Sequence, residues 1–467
     1  MKPHLRNVGS LLASDAGSRV IGFFVTAYLA RVLGPGGFGV LSIGLAVLGH
    51  LAVLGSPGMQ VVEARNVAAQ REGLTERVGG VLAVRLVLAV FLVGLTALVS
   101  GTFVRSESLR DVIVLYACSL FPYALLLDWY FQGKEDFLRL GFSRLLMYVF
   151  FGFGVLALVR APADVRMAPL AFLIGNAVAV LFLGISYVTK TRGLPFTWAP
   201  GQWMAIIREN LPVGVALLLA QLVSNFPPLV VGFFLDEQQV GMYSAALKLV
   251  FFILVLDRLF NALFLPVATR YWATKGEELP LLVRTMVKGI VILTLPIITG
   301  AFLLAPDIIR ITFGTAFVDA VPLFRLMLGF VLLTMLNSVF VCLLVASGNE
   351  HRYTWSMTWG TCTLALAVIA LTPLAGTIGS SWALVIGEGA TLMLMIHNSR
   401  TVTQLPSAGF ILRPLLGCVA MAFVYWILEP THSLLALVAG LIVYGVVVIA
   451  ASALSREEFR FLRERLT

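Results

Sequence analysis

Apolar segments long enough to cross a membrane recur from one end of the chain to the other. A spanning helix needs about 20 apolar residues, and fourteen segments of roughly that length are separated by short polar stretches. The shortest separation, at 372–377, contains Pro373 and Gly376. The predicted spans are 8–32, 38–62, 78–100, 111–132, 137–159, 167–189, 207–234, 240–268, 281–305, 320–347, 354–374, 376–397, 409–428 and 433–454. The pattern therefore predicts an all-α, polytopic membrane protein.

Composition excludes the main soluble classes. Of 467 residues, 59% are hydrophobic and 12% are charged, whereas a soluble domain carries about 25% charged residues. So few charges cannot cover a soluble core of this size. The four cysteines and five histidines are scattered without ligand spacing, and no catalytic constellation stands out. The sequence thus predicts no enzyme activity, no metal site and no bound cofactor.

The basic residues are distributed unevenly between the two predicted membrane sides. With the N-terminus placed inside, 22 of the 33 Lys and Arg residues fall on the inner side, seven on the outer side and four within spans. Cytoplasmic loops carry such an excess. The net charge of +9 therefore indicates membrane topology rather than a nucleic-acid partner, and it predicts that both termini are cytoplasmic.

A short motif occurs twice. Gly-Val-Leu-Ser at 39–42 opens the second span, and Gly-Met-Tyr-Ser at 241–244 opens the eighth, 202 residues later. An offset of six spans preserves the direction of the chain through the membrane, and parallel repeats of this kind are a transporter architecture. We therefore predict two six-helix bundles, residues 1–200 and 201–400. Residues 401–467 then hold two further spans and a basic cytoplasmic tail, which is either an amphipathic helix on the membrane surface or a plain stop signal.

Four basic residues lie within predicted spans, where a charge is costly and usually functional. Arg19 lies in the first span, and Lys248 and Arg258 lie ten residues apart in the eighth. These three are predicted to line a water-filled cavity, where cations replace part of the hydration of an anionic substrate. Arg85, in the inner third of the third span, is a fourth candidate, although extension of its side chain to the membrane surface is the favoured interpretation.

Three carboxylates accompany these cations inside the membrane. Asp15 lies one helical turn before Arg19, Asp257 lies in the eighth span, and Glu388 lies in the middle of the twelfth between two glycines. Each is a candidate for coupling transport to a proton or sodium gradient. The alternative is charge pairing, of Asp15 with Arg19 and of Glu388 with a buried cation such as Lys248.

Prolines interrupt two spans. Pro57 and Gly58 break the second, and Pro227 and Pro228 break the seventh, because proline removes a backbone donor and kinks a helix. These breaks suit the hinges of a moving transporter, and static kinks are the alternative. A literal G-x-G-x-x-G match at 34–39 lies between two apolar helices, so we predict a turn there rather than a dinucleotide site.

Four stretches of the sequence carry a family resemblance. They are Ser-Arg-Val-Ile-Gly at 18–22 with its continuation at 30–39, Gly-Ser-Pro-Gly at 55–58, Asp-Trp-Tyr-Phe-Gln-Gly-Lys-Glu-Asp at 128–136 and Gly-Met-Tyr-Ser-Ala-Ala at 241–246. With these stretches and its fourteen spans, the chain resembles the polysaccharide and O-antigen flippases (Wzx type) of the multidrug/oligosaccharidyl-lipid/polysaccharide exporter superfamily over its whole length.

The resemblance implies a transport function. It implies that an undecaprenyl-diphosphate-linked oligosaccharide is moved from the cytoplasmic to the outer leaflet of the bacterial inner membrane, by alternating access of two bundles. The implied partners are this substrate, membrane lipids and polysaccharide polymerase machinery. The first-span motif also resembles that of lipid II flippases, in which the arginine matching Arg19 lines a cationic cavity. A second first-span arginine of that group is Val25 here, which argues against lipid II itself.

Three other functions remain open on the sequence. A multidrug cation antiporter shares the implied fold; Glu388 favours it, whereas the cations within the spans oppose it. A membrane-embedded glycan polymerase or transferase needs a sizeable outer loop, which the sequence lacks. A non-transporting scaffold is disfavoured by the polar residues retained in the spans.

Overall fold

The structure, a computed structural model, consists of helices and the turns that connect them. It describes residues 2–69, 74–193, 198, 200–273, 279–403, 411–428 and 433–451. No strand occurs among these residues, and the predicted all-α fold is confirmed. Within the same ranges, ten helical segments are long and apolar enough to cross a membrane, and two shorter apolar helices lie near the C-terminus.

The first of two compact units comprises Met1–Ser244. Its helices are α1 (Lys2–Leu54), α2 (Met59–Ala68), α3 (Leu74–Phe103), α4 (Glu107–Cys118), α5 (Leu120–Leu125), α6 (Asp128–Gly133), α7 (Phe137–Leu158), α8 (Met167–Thr191), α9 (Pro200–Ser224), α10 (Phe226–Phe234) and the first part of α11 (Glu237–Ile253).

The second unit comprises Ala245–Thr467. It contains the rest of α11, then α12 (Val255–Ala273), α13 (Leu279–Leu303), α14 (Ala305–Phe313), α15 (Val321–Ala346), α16 (Glu350–Ser399), α17 (Leu412–Leu428) and α18 (Ser433–Ala450). The last two helices pack against each other and against α13, where the hydroxyl of Tyr444 donates to the carbonyl oxygen of Ile292 at 2.8 Å. The predicted bundle boundaries at residues 200 and 400 stay a prediction, and the basic tail lies outside the described residues.

Two glycines divide the longest helices into pairs of spans. Gly34 breaks α1 with a φ of 69°, and Gly376 breaks α16 with a φ of 61°. Glycine adopts positive φ without the steric cost that a Cβ brings. With these breaks, the described helices correspond to the fourteen predicted spans. The turn predicted at 34–39 and the short separation predicted at 372–377 are therefore confirmed.

The proline-containing breaks also occur where the sequence predicts them. In the second span α1 ends at Leu54 and α2 begins at Met59, with Gly58 at a φ of 72°. In the seventh, α9 ends at Ser224 and α10 begins at Phe226, ahead of the two prolines. The broken helices are confirmed, whereas hinge motion at these sites stays a prediction.

A polar network joins the break in the second span to α3 and α9. The carboxylate of Glu63, which is buried, accepts hydrogen bonds from Arg77 at 2.6 and 2.8 Å and from Asn210 at 3.0 Å. Arg77 also donates to Glu209 at 2.6 Å. Each buried charge in the network therefore has a partner of opposite sign or a hydrogen-bond donor.

The two copies of the repeated motif lie against each other. A Cβ added to Gly39 would lie 1.7 Å from the carbonyl oxygen of Glu237, and one added to Gly241 would lie 1.9 Å from that of Pro35. Pro35 and Glu237 are themselves separated by 202 positions, as Gly39 and Gly241 are. Each copy thus makes the same contact with the other, as two identical surfaces do across a two-fold axis. The glycines occur in both copies because the two backbones touch there.

Candidate functional site

The fourth span contains a break that its hydropathy does not reveal. α5 ends at Leu125 and α6 begins at Asp128, with Leu126 in an extended conformation at φ −71° and ψ 125°. The end of a helix leaves carbonyl groups without partners inside that helix. In a membrane, another part of the protein has to supply the missing donors.

Arg85 supplies these donors from α3. Its Nη1 donates to the carbonyl oxygen of Leu126 at 3.1 Å, and its Nη2 donates to that of Tyr123 at 2.5 Å. The side chain is only 1% exposed, so the interpretation that it extends to the membrane surface is wrong. The physical reason is the break itself, because α5 presents the negative end of its dipole and the guanidinium finds its acceptors inside the protein.

Asp128 lies on the other side of the same break. Its Oδ1 accepts a hydrogen bond from the backbone N–H of Trp129 at 2.9 Å, at the positive end of α6. The positive charge of Arg85 therefore lies beside the C-terminus of α5, and the negative charge of Asp128 lies at the N-terminus of α6. Each charge is matched to the local dipole, and the two also attract each other.

These residues border a cavity of about 490 Å³ within the first unit. Asn176 on α8 is buried and donates from Nδ2 to the carbonyl oxygen of Phe172 at 2.8 Å. Arg144 is exposed on α7, and the count of basic residues assigns it to the inner side of the membrane. The polar part of the lining comprises Ser18, Ser56, Gln60, Arg85, Tyr123, Asp128, Arg144, Tyr148 and Asn176. Six spans thus contribute to one membrane-embedded polar cavity.

Asp257 forms part of a polar cluster in the second unit. Its carboxylate accepts hydrogen bonds from Asn261 Nδ2 at 3.2 Å and from the hydroxyl of Ser338. Cys342 donates in turn to Asn261 Oδ1 at 3.3 Å. The cluster joins α12 to α15 and supplies several oxygen atoms at one place in the membrane.

Glu388 meets an amide of α15. Asn337 donates from Nδ2 to Glu388 Oε1 at 2.5 Å, and Asn337 Oδ1 is buried without a hydrogen-bond partner. The neighbouring Gly387 lets the two halves of α16 pack closely, since a Cβ there would lie 2.4 Å from the Cβ of Leu364. Glu388 therefore lies where the two halves of α16 pack closely.

Lys248 and Arg258 are both exposed. Lys248 lies on α11 between Leu247 and Leu249, which are 4% and 5% exposed. Arg258 follows Asp257 on α12, so the carboxylate of this pair faces the polar cluster while the guanidinium is accessible. The side chains of Asp15 and Arg19 lie outside the part of the structure that is described.

No group of three or more His, Cys, Asp or Glu side chains that could hold a metal ion occurs among the described residues.

A family model described as polysaccharide biosynthesis protein matches residues 4–272, which is more than half of the chain. The chain belongs to this family. The match contains every residue that lines the cavity of the first unit, as well as Lys248, Asp257 and Arg258. A search of curated proteins gave no match.

Solved structures of transporters share the fold of this polysaccharide biosynthesis protein. A lipid II flippase, MurJ, in an inward closed conformation aligns with a TM-score of 0.77 at 15% identity, covering 98% of this chain and 99% of that one. An inward-facing multidrug resistance MATE family transporter of the MOP superfamily aligns with a TM-score of 0.66 at 16% identity, covering 82% and 94%. A MOP superfamily transporter from Pyrococcus furiosus gives 0.57 at 15% identity, covering 85% and 95%.

The assignment made from the sequence is confirmed at this level. The chain has many apolar helices long enough to cross a membrane, it belongs to the polysaccharide biosynthesis protein family, and it shares the fold of the MurJ and MATE transporter structures. The stretch at 128–136 also gains a physical explanation. A Cβ on Gly133 would lie 2.4 Å from the carbonyl oxygen of Ala64, so this glycine lets α6 pack directly on α2.

Several cavity residues were not predicted as site residues. Gln60, Asp128, Arg144 and Asn176 all line the cavity, yet none is a lone charge in the middle of an apolar segment. Of these four residues, Asn176 is the easiest to identify from the sequence, because it is a polar amide inside the sixth predicted span. Arg144 was not predicted as a site residue, because the excess of basic residues on the cytoplasmic side already explains a basic residue in the cytoplasmic half of a span.

Proposed function

We propose that this member of the polysaccharide biosynthesis protein family is a flippase for an undecaprenyl-diphosphate-linked oligosaccharide. The observation that carries the proposal is Lys248, an exposed cation between buried leucines. It lies eleven residues into α11, or about 16 Å along the helix axis. A lysine exposed to acyl chains at such a depth is costly, so its position points to a water-filled space.

Cations in such a space suit an anionic headgroup. A diphosphate loses hydration on entering the membrane, and ammonium or guanidinium groups replace part of it. Lys248 and Arg258 are both accessible for this role, and Arg19 is a third candidate from the first span. Movement between leaflets follows from alternating access, with the protein in the bacterial inner membrane and both termini cytoplasmic. Delivery to polysaccharide polymerase machinery is the step that this function would serve.

Proteoliposomes test the proposal. A fluorescent lipid-linked oligosaccharide is placed in one leaflet, and its appearance in the other is followed by the accessibility of the sugar to a lectin. Transfer should exceed that in protein-free vesicles, and Lys248→Ala should slow it about tenfold, because a hydrogen bond to a charged group contributes about 1.5–3 kcal/mol. Lys248→Arg should retain most activity. Arg310→Ala serves as a control, since Arg310 is exposed and pairs with Asp307.

Two results would count against the flippase. One is transfer equal to that of empty vesicles with the correct substrate and ion gradients present. The other is normal transfer by the Lys248→Ala and Arg258→Ala variants, which would remove these cations from the site.

Coupling to an ion gradient is assigned to Asp257 and Glu388. Both carboxylates lie in polar surroundings of the second unit: the hydroxyl of Ser338 donates to Asp257, and the amide nitrogen of Asn337 donates to Glu388. An intramembrane carboxylate in such surroundings suits the binding of a proton or a sodium ion. In the vesicle assay, Asp257→Asn and Glu388→Gln should abolish the acceleration produced by a proton or sodium gradient while leaving gradient-free transfer in place.

A multidrug cation antiporter is the second candidate, favoured by the same carboxylates. It predicts uptake of an organic cation such as ethidium into vesicles against a proton gradient. The flippase predicts no such uptake, because the accessible intramembrane charges at Lys248 and Arg258 are positive.

A further inference from the structure

A second cavity of the first unit lies between α3 and α4, close to the end of the third span. Its volume is about 500 Å³, within the range of roughly 300–1,000 Å³ typical of small-molecule sites. It shares no lining residue with the polar cavity described above. α3 ends at Phe103, and Ala97, the lining residue of α3 furthest from that end, lies about 9 Å from it along the helix axis. The cavity therefore extends from the end of a span into its apolar part.

The deeper part of this cavity is an apolar groove. Ala97 and Gly101 on α3 and Val114 and Leu115 on α4 line it. Gly94, Ala97 and Gly101 follow one another at helical spacing on a single face of α3, and all three are exposed. A Cβ added to Gly94 or to Gly101 would meet no atom within 4 Å, so the groove is open rather than packed by a neighbouring helix. In a membrane, acyl chains are the molecules that reach such a surface.

The shallower part carries charges of both signs. Arg166, in the short 3-10 turn Pro162–Arg166, donates from Nη2 to Glu107 at 3.2 Å and lies 3.1 Å from a carboxylate oxygen of Asp111. Arg110 Nε lies 3.6 Å from the other oxygen of Asp111, which is an ion pair without a hydrogen bond. The guanidinium of Arg110 therefore keeps its donors available among the described residues, and the side chain of Glu107 is 71% exposed.

This charge pattern matches a zwitterion better than an ion of one sign. Two guanidinium groups and two carboxylates balance, so an anion meets Glu107 and Asp111 as well as the arginines. A guanidinium suits a phosphate because it presents paired N–H donors, and a carboxylate accepts hydrogen bonds from a primary ammonium, which carries three N–H donors. A headgroup that joins one phosphate to one primary ammonium satisfies both signs at once. A quaternary ammonium has no N–H to donate.

We propose that this cavity binds a phospholipid with an ethanolamine headgroup. The phosphate lies against Arg110 and Arg166, the ammonium lies against Glu107, and the acyl chains enter the groove beside Ala97 and Gly101. A lipid held in this way joins the end of α3 and the beginning of α4 to the turn between α7 and α8, and it stabilises the first unit. The site is independent of the transported substrate.

Native mass spectrometry of the delipidated full-length protein in detergent tests this site. Phosphatidylethanolamine, phosphatidylcholine and phosphatidylglycerol with identical dioleoyl chains are titrated separately. The ethanolamine lipid should bind about tenfold more tightly than the other two, since a hydrogen bond to a charged group contributes about 1.5–3 kcal/mol. It should also raise the midpoint of thermal unfolding the most.

Two variants assign the parts of the headgroup. Arg110→Ala should weaken the ethanolamine and choline lipids alike, because both carry the phosphate. Glu107→Gln should weaken the ethanolamine lipid alone and so reduce its preference over the choline lipid. This preference is a ratio measured within one variant, so a change in the stability of the variant does not obscure it.

A third variant tests the groove. Gly101→Leu fills the groove without a clash, because a Cβ at this position meets no atom within 4 Å. It should keep the lipid-free midpoint of wild type and lose the stabilisation by the ethanolamine lipid. Arg105→Ala is the matched control, since Arg105 is an exposed arginine of the same connection that does not line the cavity, and it should bind all three lipids normally.

Two results would overturn the lipid site. One is equal binding of the three phospholipids by wild type. The other is binding of the ethanolamine lipid that Arg110→Ala and Gly101→Leu leave unchanged, which would indicate lipid held without specificity around the protein. Failure of the flippase is a separate result, because none of these measurements involves a transported substrate.

Discussion

At the scale of single residues, the position of a charge in the sequence is a poor guide to what the charge does. Arg85 and Lys248 both interrupt apolar spans, yet Arg85 is buried against carbonyl groups and Lys248 is exposed between buried leucines. The difference arises from a neighbouring helix, since a break in the fourth span offers Arg85 acceptors. A basic residue within a span can therefore either satisfy the carbonyl groups of a helix break or remain available for a ligand.

Removing Arg85 should destabilise the first unit. Arg85→Leu leaves the carbonyls of Tyr123 and Leu126 without this donor and removes one of the two arginine charges that act on Asp128. A buried polar group left unsatisfied costs about 1–3 kcal/mol. Thermal unfolding in detergent, followed by fluorescence-detected size exclusion, should show a clear drop in the midpoint. Arg85→Leu combined with Asp128→Asn should recover part of it. An unchanged midpoint in the single variant would contradict the role given to Arg85.

Asp136 gives the molecule a stability that depends on pH. Burial raises the pKa of this carboxyl. Hydrogen bonds from Lys190 at 2.6 Å and from Arg139 lower it by more than burial raises it, so the pKa of Asp136 lies below its ordinary value. Because the folded pKa is depressed, the carboxylate stabilises the fold above its unfolded pKa of about 3.9 and loses this effect as the pH falls through the folded pKa.

The prediction for Asp136 is a difference between two melting curves. Wild type should unfold at a higher temperature than Asp136→Asn at pH 6–7, and the gap should close as the pH falls below about 4. A gap that is constant from pH 7 to pH 3 would show that the charge of Asp136 is not its source.

At the scale of helices, the breaks and the close glycine contacts determine the packing. The second and seventh spans break beside Pro57 and Pro227, and the sequence shows both breaks because proline cannot complete the helix. The break in the fourth span is different. Pro122 lies inside α5 rather than at the gap, and the donor that satisfies the gap is Arg85, 41 residues before Leu126. Contacts between distant segments of this kind leave no periodic signal in the sequence.

Gly39 should not tolerate even one added methyl group. Gly39→Ala places a Cβ 1.7 Å from the carbonyl oxygen of Glu237, so the two backbones must separate and the contact between the motif copies is lost. We expect a large fall in the amount of folded protein after detergent extraction. Gly36→Ala lies on the same turn, where a Cβ meets no atom within 4 Å, and it should accumulate normally. Equal yields of the two variants would contradict the close approach.

At the scale of the whole molecule, the sequence predicts the fold better than it predicts the site. Fourteen spans and the turns at Gly34 and Gly376 follow from hydropathy and from glycine, because the membrane requires long apolar helices. The site depends on which side chains meet across helices. Asp128, Arg144 and Asn176 share one cavity from three different spans, and no pattern within a single span brings them together.

Topology is the large-scale property that the charge distribution predicts. Reporter fusions test it: a fluorescent protein attached after Thr467 should fluoresce, and alkaline phosphatase inserted after Ala161 should be active, because the first position is predicted to be cytoplasmic and the second to be outside. The opposite pattern would reverse the orientation and place the basic excess on the outer side.

The reciprocal contact between Gly39 and Gly241 also bears on how such a chain arises. Gly39 meets Glu237, the counterpart of Pro35, and Gly241 meets Pro35, the counterpart of Glu237. Two identical polypeptides adopt this crossed arrangement in a symmetric dimer. A half-length chain that carries the motif once already has the surface needed to associate with its own copy. Gene duplication and fusion would then turn an interface between molecules into one within a molecule.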